Sequence, residues 1–298
     1  MRVFVTGGHG FVGTYLAEHL HAAGDDVIAP HQSEVDLGDQ PGLIDAIGAA
    51  SPDAIIHLAA LAHVGESWND PARTFDVNAV GTLHVLEAAR RVEPKPRVLL
   101  IGSAEVYGPV QPSDLPLTEE SKLNPVTPYA VSKVAAEYLG VQYHAGFGVP
   151  VVRARSFNHI GPGQAGRFVV ADIAGRIADA IKNGDTAPIR VGNLSARRDY
   201  TDVRDVVRAY RLLITDGAAG EAYNVCSGVD VSVETLAQRL LALAEVDLQI
   251  ETDPTLVRPV DVPVLVGDNS RLRAATGWAP EITLDQTLRD VLDAYLAR

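Results

Sequence analysis

Through the first half of the chain, short β-branched apolar runs alternate with amphipathic stretches of helical period. Residues 3–6 are predicted as a first strand, 11–23 as a helix stopped by Gly24, 27–29 as a second strand and 54–58 as a later one. A long helix is predicted over 74–91 and a strand over 98–101. Thr127 and Pro128, a helix cap followed by a first-turn proline, predict a helix running to about Ala145, where Gly146 and Gly148 break it; a strand is predicted over 149–154. Such alternation predicts an α/β fold with a doubly wound parallel sheet, which binds ligands at the carboxyl ends of its strands. Beyond residue 156 the pattern loosens. Helices are predicted over 172–182, 233–243 and 284–297, with extended pieces at 190–193 and 223–225. The expected division is a sheet domain over 1–155, with about 195–225 returning to it, and a smaller C-terminal α/β lobe over most of 156–298.

Composition narrows the partners. The chain has 298 residues, 47% hydrophobic and 21% charged, with a net charge of −13. That balance argues against a nucleic-acid or anionic-membrane surface, both of which need a basic patch. A small anionic ligand needs only local donors, and Arg153, Arg155, Arg167, Arg190, Arg197, Arg198 and Arg258 are candidates. No apolar run reaches the ~20 residues that span a bilayer, so no membrane partner is expected. The lone Cys226 cannot close an internal disulfide, and a strand-like run begins at Met1; both predict a cytoplasmic location. No His, Cys or Asp cluster has metal-ligand spacing, so no metal is expected.

The run Thr6-Gly7-Gly8-His9-Gly10-Phe11-Val12-Gly13 follows the first strand and opens a helix. Gly7 permits a tight turn, Gly10 lets a pyrophosphate approach the backbone, and Gly13 lets helix and strand pack closely. In this strand–loop–helix context the motif predicts a Rossmann-type site for NAD(H) or NADP(H). The second strand would normally end in an acid that holds the adenosine ribose. Here it ends Ala29-Pro30-His31-Gln32-Ser33, with neither acid nor arginine. His31 and Ser33 suit either cofactor. Asp36, beside Leu37, is read equally as a partner of the adenine amino group and as a solvated loop acid. His9 is expected to be a solvent-facing spacer.

Tyr129 and Lys133 stand four apart and share one helix face. A nearby ammonium is expected to lower the phenol pKa from its usual ~10, fitting the tyrosine to exchange a proton while the nicotinamide exchanges a hydride. Ser103, at the end of the 98–101 strand, is placed to bond the reacting oxygen, with a role as a simple strand-end cap as the alternative.

These elements together resemble the extended short-chain dehydrogenase/reductase family, in its nucleotide-sugar branch. His57-Leu58-Ala59-Ala60 and Asp76-Val77-Asn78 resemble its cofactor-side segments, and Arg197–Val203 its diphosphate-side segment. Ser156-Phe157-Asn158-His159-Ile160-Gly161-Pro162-Gly163-Gln164 is similar to the segment in enzymes that dehydrate GDP-mannose or reduce the resulting keto sugar. The resemblance implies cofactor contacts from Leu58, Ala59, Ala60 and Asn78 and a Lys133 contact to the nicotinamide ribose. It implies a substrate site with Asn158, Arg198 and Arg258 near the diphosphate, and with Arg167, Val170 and Asn193. His63 is implied at the site mouth, with a plain loop histidine equally open, and His159 in shaping the substrate loop. Dimers of the family pair two helices into a four-helix bundle. That implies a homodimer through the faces of Val77, Val80, Leu83, Val131, Val134 and Tyr138, unless those residues only pack on the sheet.

Many dehydratases of this branch carry an acid pair after the Ser/Thr, though those acting on GDP-mannose lack the first acid, so its absence alone does not exclude dehydration. Here Ala104 replaces the first acid and Glu105 remains, catalytic or only structural. With the short His31–Glu34 loop, this favours reduction of the 4-keto group of a nucleotide-linked 4-keto-6-deoxyhexose, with GDP-4-keto-6-deoxy-D-mannose going to GDP-D-rhamnose as the expected reaction. A 4-epimerase, a GDP-mannose 4,6-dehydratase and a non-catalytic dinucleotide sensor remain the alternatives.

Overall fold

The computed structural model describes residues 1–256 and 262–298. β1 (Arg2–Thr6) runs through the glycine turn into α1 (Phe11–Ala22), and β2 (Asp26–Ile28) follows. Next comes a helix that the hydrophobic pattern did not announce, α2 (Gln40–Ala50). Its cues are local: the Asp39 side chain accepts from Gly42 N, and Pro41 stands in the first turn. β3 (Ala54–His57) leads to the helix expected over 74–91, which starts earlier and is not uniform. It comprises α3 (Pro71–Phe75), capped by Asp70, a π-helical turn over Asp76–Val80, and α4 (Gly81–Ala89). Such π turns often sit at functional sites; this one carries Asn78.

β4 (Arg97–Ile101) precedes α5 (Pro128–Phe147), which Thr127 caps through Ala130 N. The helix passes straight through Gly146 and stops at Gly148, whose φ of 66° only glycine adopts readily. β5 (Val151–Ser156) lies two residues later than expected. Arg155 hid its end in the sequence, yet in the fold its guanidinium group and that of Arg153 bind the buried Glu137.

The rest of the chain forms β6 (Asn158–Ile160), α6 (Val169–Asn183), β7 (Ile189–Val191), β8 (Arg197–Asp202), α7 (Val203–Asp216), β9 (Ala222–Val225), β10 (Asp230–Ser232), α8 (Val233–Ala244), β11 (Ile250–Thr252), β12 (Val264–Leu265), α9 (Ser270–Thr276) and α10 (Leu284–Leu296). The pattern missed α7, because its arginines and aspartates mask a clean apolar stripe of Val203, Val206, Val207, Tyr210, Leu213 and Ile214.

Six strands pair in parallel in the order β2-β1-β3-β4-β5-β9. Helices α1, α7 and α9 bury one face of this sheet, and α2, α4 and α5 the other. Each fully buried Leu or Ile contributes roughly 1.5–3 kcal/mol to that packing. This is the Rossmann-type architecture expected, with the chain returning at β9. The second lobe holds β10-β8-β12, with β6 beside β8, and the β11–β7 pair. Helices α6, α8 and α10 enclose its separate core. The cleft between the lobes lies at the carboxyl ends of the parallel strands.

Candidate active site

The first turn of α1 has no side-chain cap at Gly10, so its leading N–H groups face the cleft. The glycines fit a dinucleotide. Gly7 has a φ of 73°, and a Cβ there would meet Ala59 N at 2.8 Å. A Cβ on Gly13 would sit 2.3 Å from Gly7 O, so only glycine lets the helix come this close to the turn. Leu58, Ala59 and Ala60 line the cleft just past β3.

Behind them lies a fixed polar chain. Thr82 Oγ1 donates to Asn78 O at 2.6 Å, so its hydrogen is spent. His57 Nε2 must then donate to Thr82 Oγ1 at 3.0 Å, and Nδ1 accept from Thr6 Oγ1 at 2.7 Å. Burial, with Lys133 adding to it, holds His57 neutral by lowering its pKa to about 3. Asn78 itself is buried: its amide accepts from Leu61 N and donates to Leu61 O and Ser132 Oγ. It clamps the loop after β3 to α5 and does not line the cleft.

Ser103, Tyr129 and Lys133 converge at the cleft floor. The Ser103 hydroxyl accepts from Glu105 N at 3.2 Å, capping the turn after β4, and hydrogen-bonds the Tyr129 phenol. The cap and the candidate catalytic position are thus the same residue. The structure corrects the expected electrostatics. Burial pushes the Tyr129 phenol up to about 12; the Ser103 hydroxyl beside it pulls down and the Glu105 carboxylate pushes up. Lys133 does not offset this. Its Nζ lies 5.9 Å from the Tyr129 ring centre and donates to Ile101 O at 2.8 Å, while burial lowers its own pKa to about 8. Desolvation outweighs the distant ammonium.

The cleft measures about 1200 Å³, more than the ~300–1,000 Å³ typical of a site for one drug-sized ligand. Phe11, Val12, His31, Asp36 and Leu37 line its dinucleotide side, and Asn158, Arg167, Val170, Asn193 and Arg198 its second-lobe side. Besides Asn78, two expected residues are not found there. Ser33 is off the cleft and bonds His31 instead; Arg258 lies outside the described residues. Arg153 and Arg155 serve Glu137, and Arg197 pairs with Asp230.

At the mouth, His63 Nδ1 accepts from Glu66 N, so Nε2 carries the hydrogen and donates to Arg167 O at 3.2 Å. Its ring meets Phe168 edge-on, and Arg167 pairs with Glu66 at 3.3 Å. His159 stacks on Phe11, and burial lowers its pKa. Sequence reasoning missed the buried hydroxyl pair Ser156 and Tyr210, 2.6 Å apart on the cleft floor; Tyr210 occupied an ordinary core position of an unrecognised helix. Among the described residues, no three His, Cys, Asp or Glu side chains gather as metal ligands. No helix among them is long and apolar enough to cross a membrane.

Fold and site together define a dinucleotide-binding oxidoreductase of the short-chain dehydrogenase/reductase type. More narrowly, the chain belongs to the GDP-mannose 4,6 dehydratase family, whose model matches residues 29–291. It is 41% identical over 298 residues to GDP-6-deoxy-D-mannose reductase of Pseudomonas aeruginosa, covering 100% of this chain and 98% of that protein. The structure of RMD from Pseudomonas aeruginosa complexed with NADPH superposes with a TM-score of 0.91 at 42% identity, over 99% of both chains. The UDP-glucose 4-epimerase of Thermus thermophilus in complex with NAD gives 0.88 at 29% identity, again over 99% of both.

Proposed function

We propose that this chain reduces the 4-keto group of a GDP-linked 4-keto-6-deoxyhexose with NADPH, taking GDP-4-keto-6-deoxy-D-mannose to GDP-D-rhamnose. The observation that carries this is the full-length 41% identity to GDP-6-deoxy-D-mannose reductase. Bound NADPH supplies the hydride to C4. The Tyr129 phenol, kept protonated by its burial, gives its proton to O4. Ser103, hydrogen-bonded to the Tyr129 phenol, turns to the same oxygen and orients the carbonyl. Lys133, held at one N–H by Ile101 O, offers its other N–H groups to the nicotinamide ribose. Asn158 and Arg198 face the diphosphate, and Arg167, Val170 and Asn193 complete the substrate side. Ala104 is buried and brings no acid for elimination.

Glu105 keeps a second reading alive, because a carboxylate lining the floor beside Tyr129 suits the base of a 4,6-dehydratase. Purified enzyme given GDP-4-keto-6-deoxymannose should oxidise NADPH one for one, followed by loss of the reduced cofactor's absorbance. Conversion of GDP-mannose to a 4-keto product without that reaction would establish the dehydratase instead. A stoichiometric dinucleotide surviving gel filtration would favour an epimerase.

The proposal includes a homodimer through α5 and its neighbour α3. Val131 and Tyr138, seven apart on α5, are 45% and 59% exposed, and Phe75 on α3 is exposed beside them. Val77 and Val80 instead line the cleft, and Leu83 and Val134 pack into cores. Sedimentation as a monomer at micromolar concentration would remove the dimer. A cytoplasmic location fits the single, buried Cys226.

A further inference from the structure

His31 follows the end of β2, about twenty residues past the glycine loop, where an acid binds the 2′-hydroxyl of NAD or an arginine accommodates the 2′-phosphate of NADP. Between Arg2 and Arg73 the sequence contains no lysine or arginine. Arg73 lines the cleft from α3, on the segment after β3 rather than at the end of β2.

The fold places two imidazoles there instead. A Cβ on Gly8 would lie 2.6 Å from Ala29 Cβ, so the glycine loop presses directly on the end of β2. This carries His9 to His31, with ring centres 5.3 Å apart and planes tilted by 43°. Both histidines line the cleft. Ser33 fixes the second ring: its backbone N–H reaches His31 Nδ1 at 3.3 Å and its hydroxyl at 2.9 Å. A backbone N–H can only donate, so Nδ1 accepts and Nε2 carries the ring hydrogen. The neighbouring carboxylates are engaged by the loop backbone. Glu34 accepts from His31 N at 2.7 Å and is not among the cleft-lining residues; Asp36 accepts from Gly38 N at 2.8 Å.

We propose that His9 and His31 form the subsite for the phosphomonoester on the adenosine ribose, selecting NADPH over NADH with two imidazole donors where the end of β2 carries no arginine. The inference rests on the NADPH reading above and names the residues that impose it.

Fluorescence titration of the full-length protein with NADPH and with NADH tests it. His9→Ala and His31→Ala should each weaken NADPH binding about tenfold while leaving NADH binding unchanged, as expected for loss of one hydrogen bond to a charged group. His31→Asp should turn the preference towards NADH. Equal losses for both cofactors would show a structural role and overturn the assignment, as would no loss for either. Wild-type protein that binds NADH as tightly as NADPH sinks the histidine subsite but not the reductase. Tight, histidine-dependent NADPH binding without reduction of any 4-keto sugar supports the subsite and sinks the reductase.

Discussion

The floor and the mouth of the cleft are built on opposite principles. At the floor, Tyr129 and Lys133 are each 7% exposed, and Lys133 is fixed by a backbone carbonyl. Desolvation there moves the phenol up to about 12 and the ammonium down to about 8. At the mouth, His63, Glu66 and Arg167 hold one another across the two lobes. The Arg167–Glu66 pair spans 3.3 Å, but both side chains are more than half exposed, so water screens it. Proton transfer needs groups that stay put in a low-dielectric place, whereas ligand entry needs contacts that give way at little cost.

Four measurements break or sharpen this contrast. Tyr129→Phe should lower kcat by about 10²–10⁴ while NADPH titration stays near wild type. A loss below tenfold would move the proton donor off the floor. Glu137→Gln leaves the Arg153 and Arg155 guanidinium groups buried without their carboxylate, and should cost about 3–5 kcal/mol in urea unfolding. An unchanged midpoint would mean that the structure behind the floor is as soft as the mouth.

The third measurement concerns pH. Lys133 has a folded pKa near 8, below its ordinary 10.5. Between those values the unfolded chain binds more protons, so this group makes stability rise with pH across that window. Lys133→Met should lose that rise when unfolding midpoints are compared from about pH 8 upwards. With the proposed role of the Lys133 ammonium, reduction should lose kcat/KM as pH climbs through about 8. The smallest effect belongs to the mouth. Arg167→Ala should change stability by less than about 1 kcal/mol, with the change in turnover confined to the KM of the sugar. A fall in kcat would show that the mouth also shapes the chemistry.

The legible parts of the fold were those whose cues are local. β1, the glycine loop and α1 appear within one residue of their expected bounds, because strand period, glycine spacing and helix period lie in one short stretch. Residues 40–50 and α7 were missed although each has a capping aspartate, Asp39 and Asp202. The end of β5 was hidden because Arg155 looks like a surface charge until Glu137, eighteen residues earlier, supplies a buried partner. Of the expected cofactor contacts, Asn78 was drawn away by Leu61 and Ser132, contacts that no spacing in the sequence reveals.

By itself the sequence determined the α/β class, the glycine turn, and the helix face that Tyr129 and Lys133 share, since each follows from near-neighbour sterics and periodicity. Only the tertiary structure decided that Ser103 both caps the turn after β4 and lines the floor, that burial rather than Lys133 governs the Tyr129 proton, and that His9 meets His31. Those facts depend on which segments the sheet order brings together and on how much water the packing excludes, and neither quantity is carried by any local run of residues.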